Sequence, residues 1–333
     1  MNPRLIFSTI TTLIATAVLS PTVQAITIRH DNADFYYQAR GNSFVSVGQL
    51  VINSSRICSG TLIRPAWVLT AAHCVDNLRA ATFYIGQSSY SVVRSIAHPG
   101  WLQYRRNKFV GADLALVQLN RAVNNISPAP LFAGFNEVRQ LGTYVGFGYT
   151  GTGLTGFTRY DGRKRGAYNR VDATGAFYGW SPRLLLSDFD NPGGTANRLG
   201  SPQPYFLEGS LAPGDSGGAL FISGWLAGVS AFAHPPHFRN GRYGALIAAT
   251  RVSTSSRWIA LTVGSRWLTA PPLASSLSSS TRHGNLSAAD SINAPAIEFS
   301  IATEESPKSV PEPSGLIALL LLLVLLGLAP RPD

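Results

Sequence analysis

Three residues far apart in the chain, His73, Asp113 and Ser216, each stand in a short block whose neighbours suit them for joint chemistry. The blocks are Leu69-Thr70-Ala71-Ala72-His73-Cys74, Ala112-Asp113-Leu114-Ala115-Leu116 and Gly214-Asp215-Ser216-Gly217-Gly218. A serine hydroxyl is a poor nucleophile at neutral pH and needs an adjacent base to remove its proton. An imidazole, with an ordinary pKa of about 6.5, takes that proton and returns it to a leaving group, while a carboxylate fixes its tautomer and stabilises the imidazolium. Acyl transfer is the chemistry such a set would perform.

Each block alone is weak, because short Gly/Ser/Asp strings and a histidine beside a cysteine recur by chance as turns and core residues. Chain order separates the possibilities. Residues 214–218 also fit the G-x-S-x-G pattern of α/β-hydrolases, but there the serine precedes the acid and the base. Base, then acid, then nucleophile is the chymotrypsin order and differs from the subtilisin one. Over residues 26–268 the chain therefore resembles the trypsin/chymotrypsin-like serine proteases.

That resemblance implies specific roles. His73 is the base, Asp113 its orienting acid and Ser216 the nucleophile, with the N–H groups of Gly214 and Ser216 facing the developing oxyanion. Ser210 falls at the floor of the primary specificity pocket, with Leu211 and the Gly228-Val229-Ser230 segment as walls. No acid sits at that floor, so a small or apolar side chain is expected before the scissile bond in place of Arg or Lys. Ala212 stands where many relatives have a cysteine, so the pocket loop lacks that staple. Asp215 would pair with a freed α-amino group, and cleavage after Ala25 would expose Ile26 for that purpose. The alternative is an Arg holding Asp215, as in some bacterial relatives. Arg56-Ile57 resembles an activation site, but cutting beside Cys58 would sever a strand. The resemblance also implies a Cys58–Cys74 disulfide across the base.

The elements that must position these residues read as β. Among 333 residues, 32 are Gly and 21 Pro, and only 13% are charged, which suits short strands and tight turns better than helices. Strand-like runs at 44–53, 67–70, 91–97 and 114–119 would build a first barrel. Those at 144–149, 219–221, 225–230 and 245–252 would build a second, with Gly/Thr-rich and basic stretches between them. The expected fold is all-β: two six-stranded antiparallel β-barrels with the site between them, closed by a short helix over 253–261.

Residues 1–25 read as a signal peptide, with Arg4, an apolar stretch from Leu5 to Leu19 and Val23-Gln24-Ala25 as cleavage site. A membrane-spanning first helix is disfavoured by Ser8, Thr9, Thr11, Thr12 and Pro21. Residues 269–309, with Pro271-Pro272 and the serines of 275–280, read as a disordered linker. Residues 310–333 hold Pro311, Glu312 and Pro313 and then an apolar run from Gly315 to Ala329, expected to form a tail helix. This segment resembles the PEP-CTERM sorting signal, which implies an exosortase-type processing enzyme. At about 1.5 Å per residue the run reaches roughly 22 Å, short of a bilayer core of about 30 Å, so transient membrane engagement fits better than a permanent tail anchor. The tail departs from the pattern in ending with one Arg, Arg331, beside Asp333.

The net charge of +10 is spread over many Arg with no basic helix, so nucleic acid is not expected as a partner. Protein or peptide substrates, signal peptidase and the tail-processing enzyme are. No cofactor and no metal are expected: Asp188, Asp190 and Asn191 lack the spacing of a calcium loop and read as a turn. His234 and His237 flank Pro235-Pro236 and read as exposed loop histidines. Against an exported endopeptidase stand a catalytically silent protease-like binding module and a structural envelope protein. The first would have lost a triad member, and the second leaves the three blocks unexplained.

Overall fold

The computed structural model describes residues 26–104, 106–234 and 241–264. The chain divides into two compact units, Met1–Ser275 and Ser276–Asp333, and every described residue lies in the first. The segments expected to be signal peptide, linker and apolar tail, with Pro311, Glu312 and Pro313, lie outside the described residues, as does His237.

Alternating apolar runs bounded by turn residues form most of the strands. After β1 (Ile26–Ile28), the strands β2 (Val47–Ile52), β3 (Arg56–Arg64), β4 (Trp67–Thr70), β5 (Ala81–Ile85), β6 (Ser88–Ala97) and β7 (Ala115–Leu119) close into a barrel, in the order β2-β3-β4-β7-β6-β5. Leu50, Ile52, Leu62, Leu69, Phe83, Leu114 and Leu116 fill its interior with no exposed surface. Each such side chain contributes about 1.5–3 kcal/mol on burial.

The second half begins with β8 (Leu141–Gly146), β9 (Tyr149–Thr152), β10 (Gly156–Tyr160), β11 (Arg165–Arg170), β12 (Ala173–Thr174) and β13 (Leu184–Asp188). It continues with β14 (Gly209–Ser210), β15 (Ala219–Ile222), β16 (Trp225–His234) and β17 (Leu246–Arg251). Seven of these form one antiparallel sheet, β11-β8-β15-β16-β17-β13-β12, curled as a half-barrel where a second closed barrel was expected. The all-β, chymotrypsin-like architecture holds, with one barrel closed. A further sheet, β10-β9-β1-β14, places β1 parallel to β9 and antiparallel to β14.

Helices are short: α1 (Asp34–Asn42), α2 (Ala72–Val75), α3 (Pro99–Gln103) and α4 (Ser256–Thr262). The closing helix α4 follows a 3-10 turn at Ser253–Ser255, together covering the expected stretch. α1 was not anticipated, because it has no apolar stripe: Tyr37 and Gly41 face inward and Asp34 carries its attachment. Asp34 pairs with the fully buried Arg165 of β11 at 2.5 and 2.8 Å, and Asp161 takes the other side of the guanidinium at 2.9 and 3.1 Å. A bidentate fork satisfied on both sides is what makes a buried guanidinium tolerable. Among the described residues no helix is long and apolar enough to cross a membrane.

Candidate active site

Register in the closed barrel brings the first two candidate residues together. Thr70, the last residue of β4, pairs with Ala115, the first of β7. The chain leaves β4 into α2, which carries His73, and enters β7 from Asp113, so both side chains meet at one barrel end. Asp113 is fully buried and clamps the histidine twice: Oδ1 accepts the His73 backbone N–H at 2.9 Å, and Oδ2 lies 2.7 Å from Nδ1. The ring therefore has its Nδ1 edge held by the carboxylate. The His73 side chain is about one-third exposed, so it is open to a partner from solvent or from the second sheet.

Ser216 comes from the loop ahead of β15, and glycine lets that loop press against the barrel. Gly217 has φ +81°, and a Cβ there would lie 2.1 Å from Thr70 Oγ1 and 2.3 Å from the Ser59 carbonyl. Only glycine permits that approach. The Ser59 N–H donates to the Ser216 carbonyl at 2.8 Å, its Oγ donates to the Gly214 carbonyl at 2.9 Å, and that Oγ accepts the Phe147 N–H. Sequence reasoning missed Ser59, whose only signal is its place beside Cys58 on the strand facing the nucleophile loop. The Cys58–Cys74 disulfide is formed, with Cα atoms 6.3 Å apart. Cys74 Sγ lies 3.9 Å from His73 Nε2 and 3.7 Å from the Ser216 carbonyl oxygen. One sulfur thus touches both the histidine and the serine loop.

Cys58, His73 and Cys74 are also the one group of potential metal ligands that crowd together among the described residues. Both sulfurs are spent in the disulfide, so neither is the thiolate that zinc or another soft metal requires.

Gly214 sits at φ +95°, and a Cβ there would meet Gly148 Cα at 2.8 Å. Among the described residues neither Gly214 nor Ser216 donates its backbone N–H, whereas their neighbours Asp215, Gly217 and Gly218 all do. Two free amides in one tight loop can receive a developing negative charge. Asp215 is buried, and its carboxylate accepts from Gly148 N at 2.8 Å and Ala212 N at 2.9 Å. Burial pushes its pKa up to about 7, against the pull of those two N–H bonds and the field of Arg165. It makes no ion pair among the described residues. Ile26 is buried at the start of β1, where Thr150 is its β9 partner and Thr150 Oγ1 donates to its carbonyl. Two residues before Thr150 lies Gly148, the amide that caps Asp215.

Beside Ser216 a cavity of about 180 Å³ is lined by Leu211, Ala212, Pro213, Ala231, Phe232 and Ala233. Leu211 stands where expected. Ser210 lies on β14 opposite Thr27, and Ser230 is paired by its backbone to the nucleophile loop through Gly217 N and Gly218 O; neither is among the lining residues. Both hydroxyls are buried without a hydrogen-bond partner among the described residues. Phe232 was missed because β16 was expected to stop at Ser230; it runs four residues further, to His234, carrying Phe232 past the serine loop. The Phe232 ring is held edge-on by Phe109 and Trp180, with Lys108 Nζ 4.5 Å from its centre.

Comparison with known proteins gives this geometry a context. Residues 36–167, which include His73 and Asp113, match the family described as Trypsin. An uncharacterised peptidase of Corynebacterium glutamicum is 32% identical over 176 residues, 52% of each chain, so the chain spans about half the length of that relative. An alpha-fibrinogenase of Macrovipera lebetinus is 26% identical over 69% of this chain and 87% of its own. Among solved structures, neuropsin, a serine protease expressed in the limbic system of mouse brain, superposes with a TM-score of 0.55 at 20% identity, covering 68% of this chain and 98% of its own. HL collagenase gives 0.52 at 22% identity, covering 69% and 98%. These structures share the chymotrypsin-like fold, and the chain is similar to the Trypsin family over residues 36–167 and to a peptidase relative over about half of its length.

Proposed function

We propose that the protein is an exported serine endopeptidase that hydrolyses peptide bonds through an acyl-enzyme, with His73, Asp113 and Ser216 as its triad. The observation that carries this reading is the double clamp of Asp113 on His73, next to a serine loop locked onto the same disulfide. His73 Nε2 takes the Ser216 hydroxyl proton as Oγ bonds to the substrate carbonyl carbon. The carbonyl electron pair moves to oxygen, facing the Gly214 and Ser216 amides. Collapse breaks the C–N bond, and His73 passes the proton to the leaving amine. Water, deprotonated by the same imidazole, then attacks the ester and restores Ser216. Asp113, bonded to both the backbone N–H and Nδ1 of His73, holds the ring in the orientation that directs Nε2 outward.

The side chain before the scissile bond is small and neutral in this proposal. An apolar cavity of about 180 Å³ with Phe232 across it has room for Ala, Val or a similar group and no carboxylate to meet a cation. Burying Lys or Arg there would leave a charge unpaired. Activation belongs to the same proposal: removal of residues 1–25 by signal peptidase frees the Ile26 amine, which pairs with Asp215. Handling of the Pro311-Glu312-Pro313 tail by an exosortase-type enzyme at the membrane rests on the sequence resemblance alone. A peptide library randomised before the scissile bond tests the reading: cleavage after small neutral residues, lost in Ser216→Ala, supports it, and cleavage after Arg or Lys overturns the pocket assignment.

A further inference from the structure

Outside the site described above, a cavity of about 320 Å³ is bounded by Asn169, Arg170, Asp172, Asp188, Asp190 and Glu208. Four carboxylates face one guanidinium there. Most of these oxygens organise backbone. Glu208 accepts the N–H groups of Asp190 and Tyr205, each at 2.7 Å, and Asp188 Oδ2 accepts those of Arg198 and Leu199 at 2.5 and 2.8 Å. Asp172 Oδ1 takes Arg170 Nε at 2.6 Å. These bonds fold the long connection between β13 and β14 over the cavity.

Two groups are left over. Asp190 is only 3% exposed, yet its carboxylate accepts no hydrogen bond among the described residues. Asn169, 2% exposed, spends its Nδ2 on the carbonyls of Asp188 and Gly209 at 2.8 and 3.0 Å, and its Oδ1 accepts from no donor among the described residues. The Asp190 carboxylate and the Asn169 amide oxygen both line this acidic cavity with no protein donor among the described residues, acceptors that a cation entering the cavity can use.

We propose that this cavity is a Ca²⁺ site whose protein ligands are Asp190, Asp188 and the Asn169 amide oxygen, with water completing the shell. The donor set is all oxygen, which selects a hard cation over zinc or copper. Among the described residues no three carboxylates bring oxygens within 4.8 Å of one another, so the ion takes two and makes up its shell from amide and solvent. Ca²⁺ tolerates such mixed, irregular shells, whereas Mg²⁺ demands a tight octahedron. Asn191 is not in the set: its side chain closes a local turn through Ala196 N and Thr195 Oγ1, as the sequence suggested. The ion would brace Glu208 and Gly209, and through them β14 and the segment running to Ser216. The site does not depend on the protease reading.

The test uses the full-length Ser216→Ala chain, stripped with EDTA, titrated with CaCl₂ by calorimetry and followed by thermal unfolding. Expected is a saturable one-to-one heat with a Kd of about 10⁻⁵–10⁻³ M. At roughly tenfold excess over Kd, Tm should rise by about 3–6 °C. Asp190→Asn, which keeps the shape and breaks no internal hydrogen bond, should weaken Ca²⁺ binding at least about tenfold while leaving Tm in EDTA unchanged or higher. No Ca²⁺ heat in the Ser216→Ala chain, an equal Tm rise with MgCl₂ at matched ionic strength, or unaltered Ca²⁺ binding in Asp190→Asn would each overturn the site.

Discussion

Adding one residue ahead of Ile26 is the perturbation that best probes how the nucleophile loop is held. A buried Asp215 whose pKa lies about 7 instead of 3.8 carries a burial penalty of about 4 kcal/mol when ionised, at about 1.4 kcal/mol per unit. Its two N–H partners, Gly148 and Ala212, already count in that figure. In the proposed form that begins at Ile26, a protonated amine would relieve the penalty and fix the loop that carries Gly214 and Ser216. Retaining Ala25 turns this amine into a peptide N–H and leaves the carboxylate uncompensated. Four kcal/mol corresponds to a ceiling of about 10³ in rate, and we expect kcat/KM to fall by about 10²–10³. The assay is hydrolysis of one small-residue ester or anilide by both forms across pH. The proposed ion pair would raise the amine's pKa above its ordinary value of about 7.7–8, so its stabilisation would be complete below that value and lost as pH climbs through the raised one. The Ile26 form should therefore lose activity on the alkaline side, a limb absent from the Ala25 form. Equal activity of the two forms, or a flat alkaline profile for the Ile26 form, would refute the reasoning and leave the field of Arg165 as what tames Asp215.

Two further substitutions test the site. Asp113→Asn keeps the volume but cannot accept from both the backbone N–H and the ring of His73, and turnover should drop by about 10⁴, the cost typical of the orienting acid in a Ser-His-Asp triad, with circular dichroism unchanged. Phe232→Ala should enlarge the cavity beside Ser216 and raise kcat/KM for Leu or Phe relative to Ala before the scissile bond by about tenfold or more. The same change should lower stability by about 3–5 kcal/mol, read in urea, because the ring packs on Phe109 and Trp180.

The order of His73, Asp113 and Ser216 was legible because each sits in a local block, and the strands that carry them were legible from alternation and turn residues. What escaped were pairings between distant segments. Arg165 reads in sequence as part of a basic surface stretch, Arg163-Lys164-Arg165, yet it is fully buried between Asp34 and Asp161; nothing local announces a partner 131 residues away. α1 escaped for the same reason, since its attachment is that ion pair and not an apolar stripe. The parallel pairing of β1 with β9 carries no local signal either, because three residues are too few for a pattern. Ser59 looks like any strand serine until the second sheet arrives to use both its amide and its hydroxyl.

The central claim is that Ser216 is a nucleophile activated by His73. Labelling the Ile26 form with a peptidyl organophosphonate and weighing it by mass spectrometry tests this most directly. The account predicts one adduct on the peptide containing Ser216, absent in Ser216→Ala and strongly slowed in His73→Ala. A folded protein that takes no label, or labels as well without His73, would contradict it.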